Sequence, residues 1–217
     1  MTTTSQSPRH FLKIPSGYGR VVDFSDTNFS SQGITVAGTS GCYTCVGVYF
    51  AIDEHRCFIA HINPSANRYS DHDEDHERLI FEEEAQKLKK FVVARVKELV
   101  GGSWVPYDRA RRSLVLVCLR PTEVVGNERS RPYVGQHVQD AFLEFFQADE
   151  QSVFHGMKHG FVVEQYAGLQ NVLGIRGKED EEPVDFGFEA EDSPAEGLSR
   201  WAVGLQRDGT WAVMFRG

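Results

Sequence analysis

Two neighbouring segments constrain this chain more than any others. Residues 45–52 and 57–62 are apolar on both faces and are separated only by the polar stretch Asp53-Glu54-His55-Arg56. Side chains of an extended segment alternate between faces. Val46, Val48, Phe50 and Ile52 therefore fall on one side of the first strand, and Cys45, Tyr49 and Ala51 on the other. A strand with no polar face has to be covered on both sides, so this one belongs at the centre of a sheet, with the second strand antiparallel beside it. On that second strand Cys57, Ile59 and His61 share one face and Phe58, Ala60 and Ile62 the other.

The remaining pattern alternates strands with helices. Leu88, Val92, Val96 and Leu99 recur at spacings of four and three, which predicts a helix over residues 77–100 that ends at Gly101-Gly102. Glu83 and Lys87 form an i, i+4 pair on it. Val138, Ala141, Phe142, Phe145 and Phe146 repeat the helical pattern over residues 136–147. Strands are expected at residues 19–24, 34–37, 113–119 and 160–165, and a C-terminal β-hairpin from residues 200–206 and 210–216 joined at Asp208-Gly209. This order describes an α/β (α+β) sandwich with a mixed β-sheet and two main helices. At 217 residues and 41% hydrophobic content, residues 1–217 suffice for a single domain. Residues 1–15 read as mobile apart from a strand near residues 11–14, with no role in a site, and residues 176–197 read as a flexible acidic loop.

A formal charge of −8 argues against a nucleic-acid partner. The basic clusters at Arg109-Ala110-Arg111-Arg112 and residues 87–90 read as solvated faces. No run approaches the roughly 18 apolar residues of a membrane span, and the Thr/Ser/Gln-rich start does not resemble a leader, so a soluble, cytoplasmic chain with no membrane partner is expected. The acidic run 71–76 suits a solvated entry to a helix better than a cation site. Three of the four cysteines lie within residues 42–57, beside a histidine, which favours chemistry or a metal over disulfide stapling. Cys118, in an apolar run, reads as a core side chain.

The chemistry-bearing stretch is Gly38-Thr39-Ser40-Gly41-Cys42, a Gly/Ser/Thr loop that ends in a thiol ahead of the central strand. A cysteine nucleophile needs a neighbouring base, and His61, 19 residues after Cys42, is placed to provide one. Cys42 and Cys45 compete for the nucleophile, with Cys42 favoured because a loop exit is more exposed than a strand. The loop at Ser40, Gly41 and Tyr43 offers backbone amides for an oxyanion. Thr35, Thr39, Ser40 or a main-chain carbonyl would orient the imidazole. Two competing readings share these residues: a strand-rich core with incidental cysteines, and a Cys3His zinc site of Cys42, Cys45, Cys57 and His61.

Ser40-Gly41-Cys42 ahead of a β-rich run, with Ala60-His61-Ile62 and then Pro64 on the next strand, resembles the Cys/His glutamine deamidases. That superfamily includes the chemotaxis-receptor glutamine deamidases and the catalytic domains of the cytotoxic necrotizing factors. The resemblance covers residues 33–64. It implies a hydrolase that deamidates a glutamine side chain on a protein substrate without a cofactor, with Cys42 as nucleophile and His61 as base. The receptor deamidases place a threonine shortly before the cysteine. Thr35 lies one residue off that spacing relative to Cys42, whereas Thr39 fits it relative to Cys45.

Overall fold

The structure, a computed structural model, describes residues 9–26, 34–65, 82–100, 107–119, 122–125, 128–132, 134–153, 158–176, 188–192, 198–206, 208 and 210–214. In chain order the elements are β1 (Arg9–Lys13), β2 (Tyr18–Asp23), β3 (Ile34–Thr39), β4 (Val46–Ala51), β5 (Arg56–Ser65), α1 (Glu82–Val100), α2 (Tyr107–Ser113), β6 (Val115–Val117), β7 (Thr122–Val125), β8 (Glu128–Pro132), α3 (Val134–Phe146), β9 (Lys158–Tyr166), β10 (Leu169–Arg176), β11 (Phe188–Asp192), β12 (Ser199–Arg200), β13 (Ala202–Leu205) and β14 (Trp211–Val213).

The apolar hairpin is where its sequence demands. β4 and β5 pair antiparallel from Val46 opposite Ile62 to Ala51 opposite Cys57, and every residue of β4 is buried. They sit in a seven-stranded sheet with the order β12-β2-β5-β13-β14, in which β4 pairs with β5 and β6. A second sheet has the order β10-β9-β3-β1-β11. The chain is an α+β sandwich, and alternation along the hairpin divides its interior into two cores. Val46, Val48, Phe50, Phe58, Ala60 and Ile62 pack with Leu88, Val92 and Val96 of α1 and Val138, Phe142 and Phe146 of α3. Tyr49, Ala51, Cys57 and Ile59 pack instead with Leu12, Ala37, Phe161 and Val163 of the second sheet. His61 lies on this inter-sheet side, in step with Cys57 and Ile59.

Both long helices lie where their periodicity sets them, with Glu82, Glu83 and Glu84 in the first turn of α1, where acids complement the helix dipole. Lys87 bridges to Glu83 at 2.9 Å. The C-terminal hairpin forms, with Val203 opposite Val213 and Leu205 opposite Trp211. Its connection is longer than two residues, because Gln206 N–H already bonds to the Thr210 carbonyl at 2.7 Å.

One feature corrects the sequence reading and three extend it. The strand expected near residues 11–14 forms as β1 and takes in Arg9 and His10 as well, inside the second sheet and parallel to β3 and β11, with Leu12 and Ile14 fully buried. Residues 188–192 of the expected flexible acidic loop form β11, the parallel partner of β1. The basic stretch around Arg109 is the short helix α2. An eight-residue strand, β10, follows β9 through a turn at Ala167 and Gly168, both with positive φ. The acidic run 71–76 and Gly101-Gly102 lie outside the described residues. No helix among those residues is long and apolar enough to cross a membrane.

Candidate functional site

β3, β4, β5 and β9 bring their side chains together between the two sheets at Gly47. This glycine is opposite His61 in the β4–β5 register, and opposed residues of an antiparallel pair share a face. A Cβ on Gly47 would lie 3.0 Å from Cys42 Sγ, 3.2 Å from Phe161 Cε1 and 3.3 Å from Thr39 Cγ2. The missing side chain is thus the space that the Cys42 thiol and the Thr39 methyl group occupy beside the imidazole.

Hydrogen bonding fixes the state of the histidine. The Thr39 hydroxyl donates to the Ile14 carbonyl at 2.9 Å. Its one proton being used, it must accept at 2.9 Å from His61 Nδ1, which carries the ring proton. His61 Nε2 is then the basic nitrogen, and it is buried with no hydrogen-bond partner among the described residues. Only 3% of His61 is exposed. Burial first, and the charge of Lys13 second, push its pKa from 6.5 down to about 4, so the imidazole is neutral at neutral pH.

All four cysteines are thiols, but their surroundings differ. Cys42 is fully buried, which overturns the exposure on which its choice as nucleophile rested. The loop turns inward at Gly41, where φ is +79°, and drops the Cys42 side chain into the space over Gly47. Burial, followed by the neighbouring thiols of Cys45 and Cys118, pushes the Cys42 pKa well up. The adjacent Gly47 amide favours its thiolate without overcoming that burial. Cys45 is half-buried and immediately precedes β4. It stands one residue before the β4–β5 register opens at Val46 opposite Ile62, and two residues before Gly47, the partner of His61.

The other expected members divide. Thr35 is exposed on β3, away from the imidazole, and Thr39 takes the orienting place. Ser40 is half-buried at the exit of β3. The loop amides expected to hold an oxyanion are already engaged: Gly41 N–H bonds to His159 Nδ1 at 3.1 Å, Cys42 N–H to the His159 carbonyl at 2.7 Å, and Tyr43 N–H to the Gly41 carbonyl at 3.0 Å. The next amide, that of Thr44, has no hydrogen bond among the described residues. The Cys3His zinc set is not assembled. Cys57 lies four residues from His61 along β5, about 13 Å at the rise of a strand. Among the described residues no group of three or more His, Cys, Asp or Glu side chains is placed to hold a metal ion.

His159 is the residue the sequence reading missed. It is 3% exposed on β9, and its ring stacks on Tyr43 with centroids 5.7 Å apart and an interplanar angle of 13°. The usable signal was Gly160 beside it, since glycine inside a strand marks a close backbone approach. A Cβ there would collide with the Thr39 carbonyl and lie 2.7 Å from Ser40 Cα. Two clefts, of 590 and 630 Å3, open beside α2 and are lined by Arg112 rather than by the thiols.

No protein-family model matches the chain, and no curated protein matches it.

Proposed function

We propose that the protein is a cysteine-dependent amidohydrolase that deamidates glutamine side chains of a protein substrate, with Cys45 as nucleophile, His61 as base and Thr39 as the residue that orients it. The observation that carries this reading is the buried, partnerless Nε2 of His61. Its tautomer is dictated by Thr39, and a half-buried thiol, Cys45, stands two residues before Gly47, the residue opposite His61. A buried acceptor with no partner is costly and rare in a structural histidine. Placed next to a nucleophile, it is the arrangement that takes a proton.

With His61 protonated only below about pH 4, the resting pair is thiol and imidazole rather than thiolate and imidazolium. The Cys45 proton moves to Nε2 as sulfur attacks the carboxamide carbon. The Thr44 amide is the loop donor left for the resulting oxyanion. Collapse breaks the C–N bond, and the imidazolium returns its proton to the departing ammonia. Water, deprotonated by the same nitrogen, then hydrolyses the thioester to a glutamate side chain. Every step is metal-free and cofactor-free in its proton and electron balance. The thiols must stay reduced, which fits a cytoplasmic setting.

The test measures Cys45 alkylation by limiting iodoacetamide, and ammonia release from a terminally blocked glutamine dipeptide. At pH 7 the wild type should label at Cys45 at least tenfold faster than His61→Ala, and Cys45→Ser should release no ammonia while Cys42→Ser retains most activity. Equal labelling in wild type and His61→Ala would mark the fold as a non-catalytic binding module. Activity lost in Cys42→Ser and retained in Cys45→Ser would return the nucleophile to Cys42.

A further inference from the structure

We infer that His159 is the positioning residue of the nucleophile loop: through its Nδ1 acceptor it fixes the path of residues 41–45, and so the place of Cys45 relative to His61. This inference rests on the cysteine-hydrolase reading above. Three separate attachments converge on this one residue: the Gly41 amide on its ring nitrogen, the Cys42 amide on its carbonyl, and the Tyr43 ring on its imidazole face. Gly160 follows and lets the β9 backbone press against Thr39 and Ser40, so His159 is delivered from a rigid strand rather than from another loop.

The ring attachment has a chemical condition. Gly41 N–H can bond to Nδ1 only if that nitrogen is unprotonated, so the proton of the neutral ring resides on Nε2. This is the opposite tautomer to that of His61. The two histidines thus do different jobs through their Nδ1 atoms: one donates to Thr39, the other accepts from the loop. The carbonyl of Cys42 is held from the far side by Leu119 N–H at 2.9 Å, and Cys118 Sγ contacts the Tyr43 carbonyl at 3.3 Å. The segment between His159 and the end of β6 is therefore clamped on two sides, with Cys45 at its exit.

Packing and hydrogen bonding make separable demands, and two substitutions divide them. In His159→Asn the amide oxygen can stand in for Nδ1, but the stacked ring is lost. In His159→Phe the ring remains, but nothing accepts from Gly41. The readout is the rate of Cys45 alkylation by iodoacetamide at pH 7, with the thermal midpoint measured alongside. His159→Phe should label about tenfold more slowly, the ratio expected for one lost hydrogen bond, and His159→Asn should stay within about threefold of wild type. Rescue by Phe and not by Asn, or wild-type rates in both, would overturn the positioning role while leaving Cys45 and His61 as proposed. A wild-type rate independent of His61 would instead remove the hydrolase reading itself. Long-range 1H–15N spectra of the ring provide the second measurement, independent of any variant. Protonation on Nε2 with a bare Nδ1 is expected, and the reverse tautomer overturns the inference.

Discussion

Thr39 shows how much a single hydroxyl does here. It is fully buried and joins three strands, accepting from His61 on β5 and donating to Ile14 just beyond β1. Thr39→Val keeps the shape and strands a buried N–H and a buried C=O. It should cost about 1–3 kcal/mol in chemical denaturation and abolish the His61 dependence of Cys45 labelling, whereas Thr39→Ser should retain both. Gly47→Ala introduces a Cβ 3.0 Å from Cys42 Sγ among neighbours that are themselves packed. A loss of about 1–3 kcal/mol is expected, the usual cost of overpacking, visible as a lower denaturation midpoint with unchanged slope. His61 also imposes a pH dependence. The folded chain keeps it neutral down to about pH 4, while the unfolded chain takes up a proton near 6.5. Between those values the unfolded state binds more protons, so stability falls as pH is lowered through the window, by on the order of 3 kcal/mol in total. Denaturation midpoints measured from pH 7 to pH 4 should show that slope flattened in His61→Gln. The sequence made Cys42, Cys45, Thr39 and His61 legible as a set, because they fall in two adjacent stretches. It ranked Cys42 above Cys45 on exposure, and the structure reverses that order of exposure, because which thiol faces solvent depends on the inward turn at Gly41. Nor did it reveal His159, whose partner Gly41 is 118 residues away.

At the scale of elements, legibility followed burial pattern. β4 and β5 announced themselves because both faces are apolar, and α1 and α3 because their apolar stripes have helical spacing. β1 carries only a few apolar residues, and the charged Lys13 hid its place between β3 and β11. β11 runs through Glu189, Glu191 and Asp192, so its composition read as a solvated loop even though its backbone is a sheet partner. Among its described side chains the short α2 offers one buried apolar residue, Ala110, too little for a periodicity. β1 is the element whose importance the structure most changes, since the Ile14 carbonyl sets the tautomer of His61 through Thr39. Leu12→Ala should therefore destabilise the chain by about 2–5 kcal/mol, the range for a fully buried leucine. It should also slow Cys45 labelling under conditions where the chain remains folded, as judged by circular dichroism.

Across the whole molecule, the central sheet separates two interiors with different duties. The helix side holds Phe50, Phe58, Phe142, Phe146 and Trp201 in aromatic contact, with ring centroids such as those of Phe50 and Phe58 5.0 Å apart. The inter-sheet side holds the candidate chemistry. Phe142→Ala should cost about 3–5 kcal/mol yet leave the relative labelling of the four cysteines unchanged, whereas Phe161→Ala should alter both, because Phe161 borders Gly47. The same division sets the order in which the chain can be completed. Arg9 pairs with Phe188, Val36 with Glu164 and Asn63 with Ala202, so closing the inter-sheet space waits on residues from the final third of the sequence. Such distant pairings make folding slow, on the millisecond-to-second scale. In pulsed alkylation during refolding, Cys42 and Cys57 should stay reactive until the slowest phase, and early protection of both would contradict this order. A ribosome thus exposes three clustered thiols long before it supplies β9 to cover them. Protection of Cys42 and Cys57 is therefore a property of the finished fold and not of the growing chain.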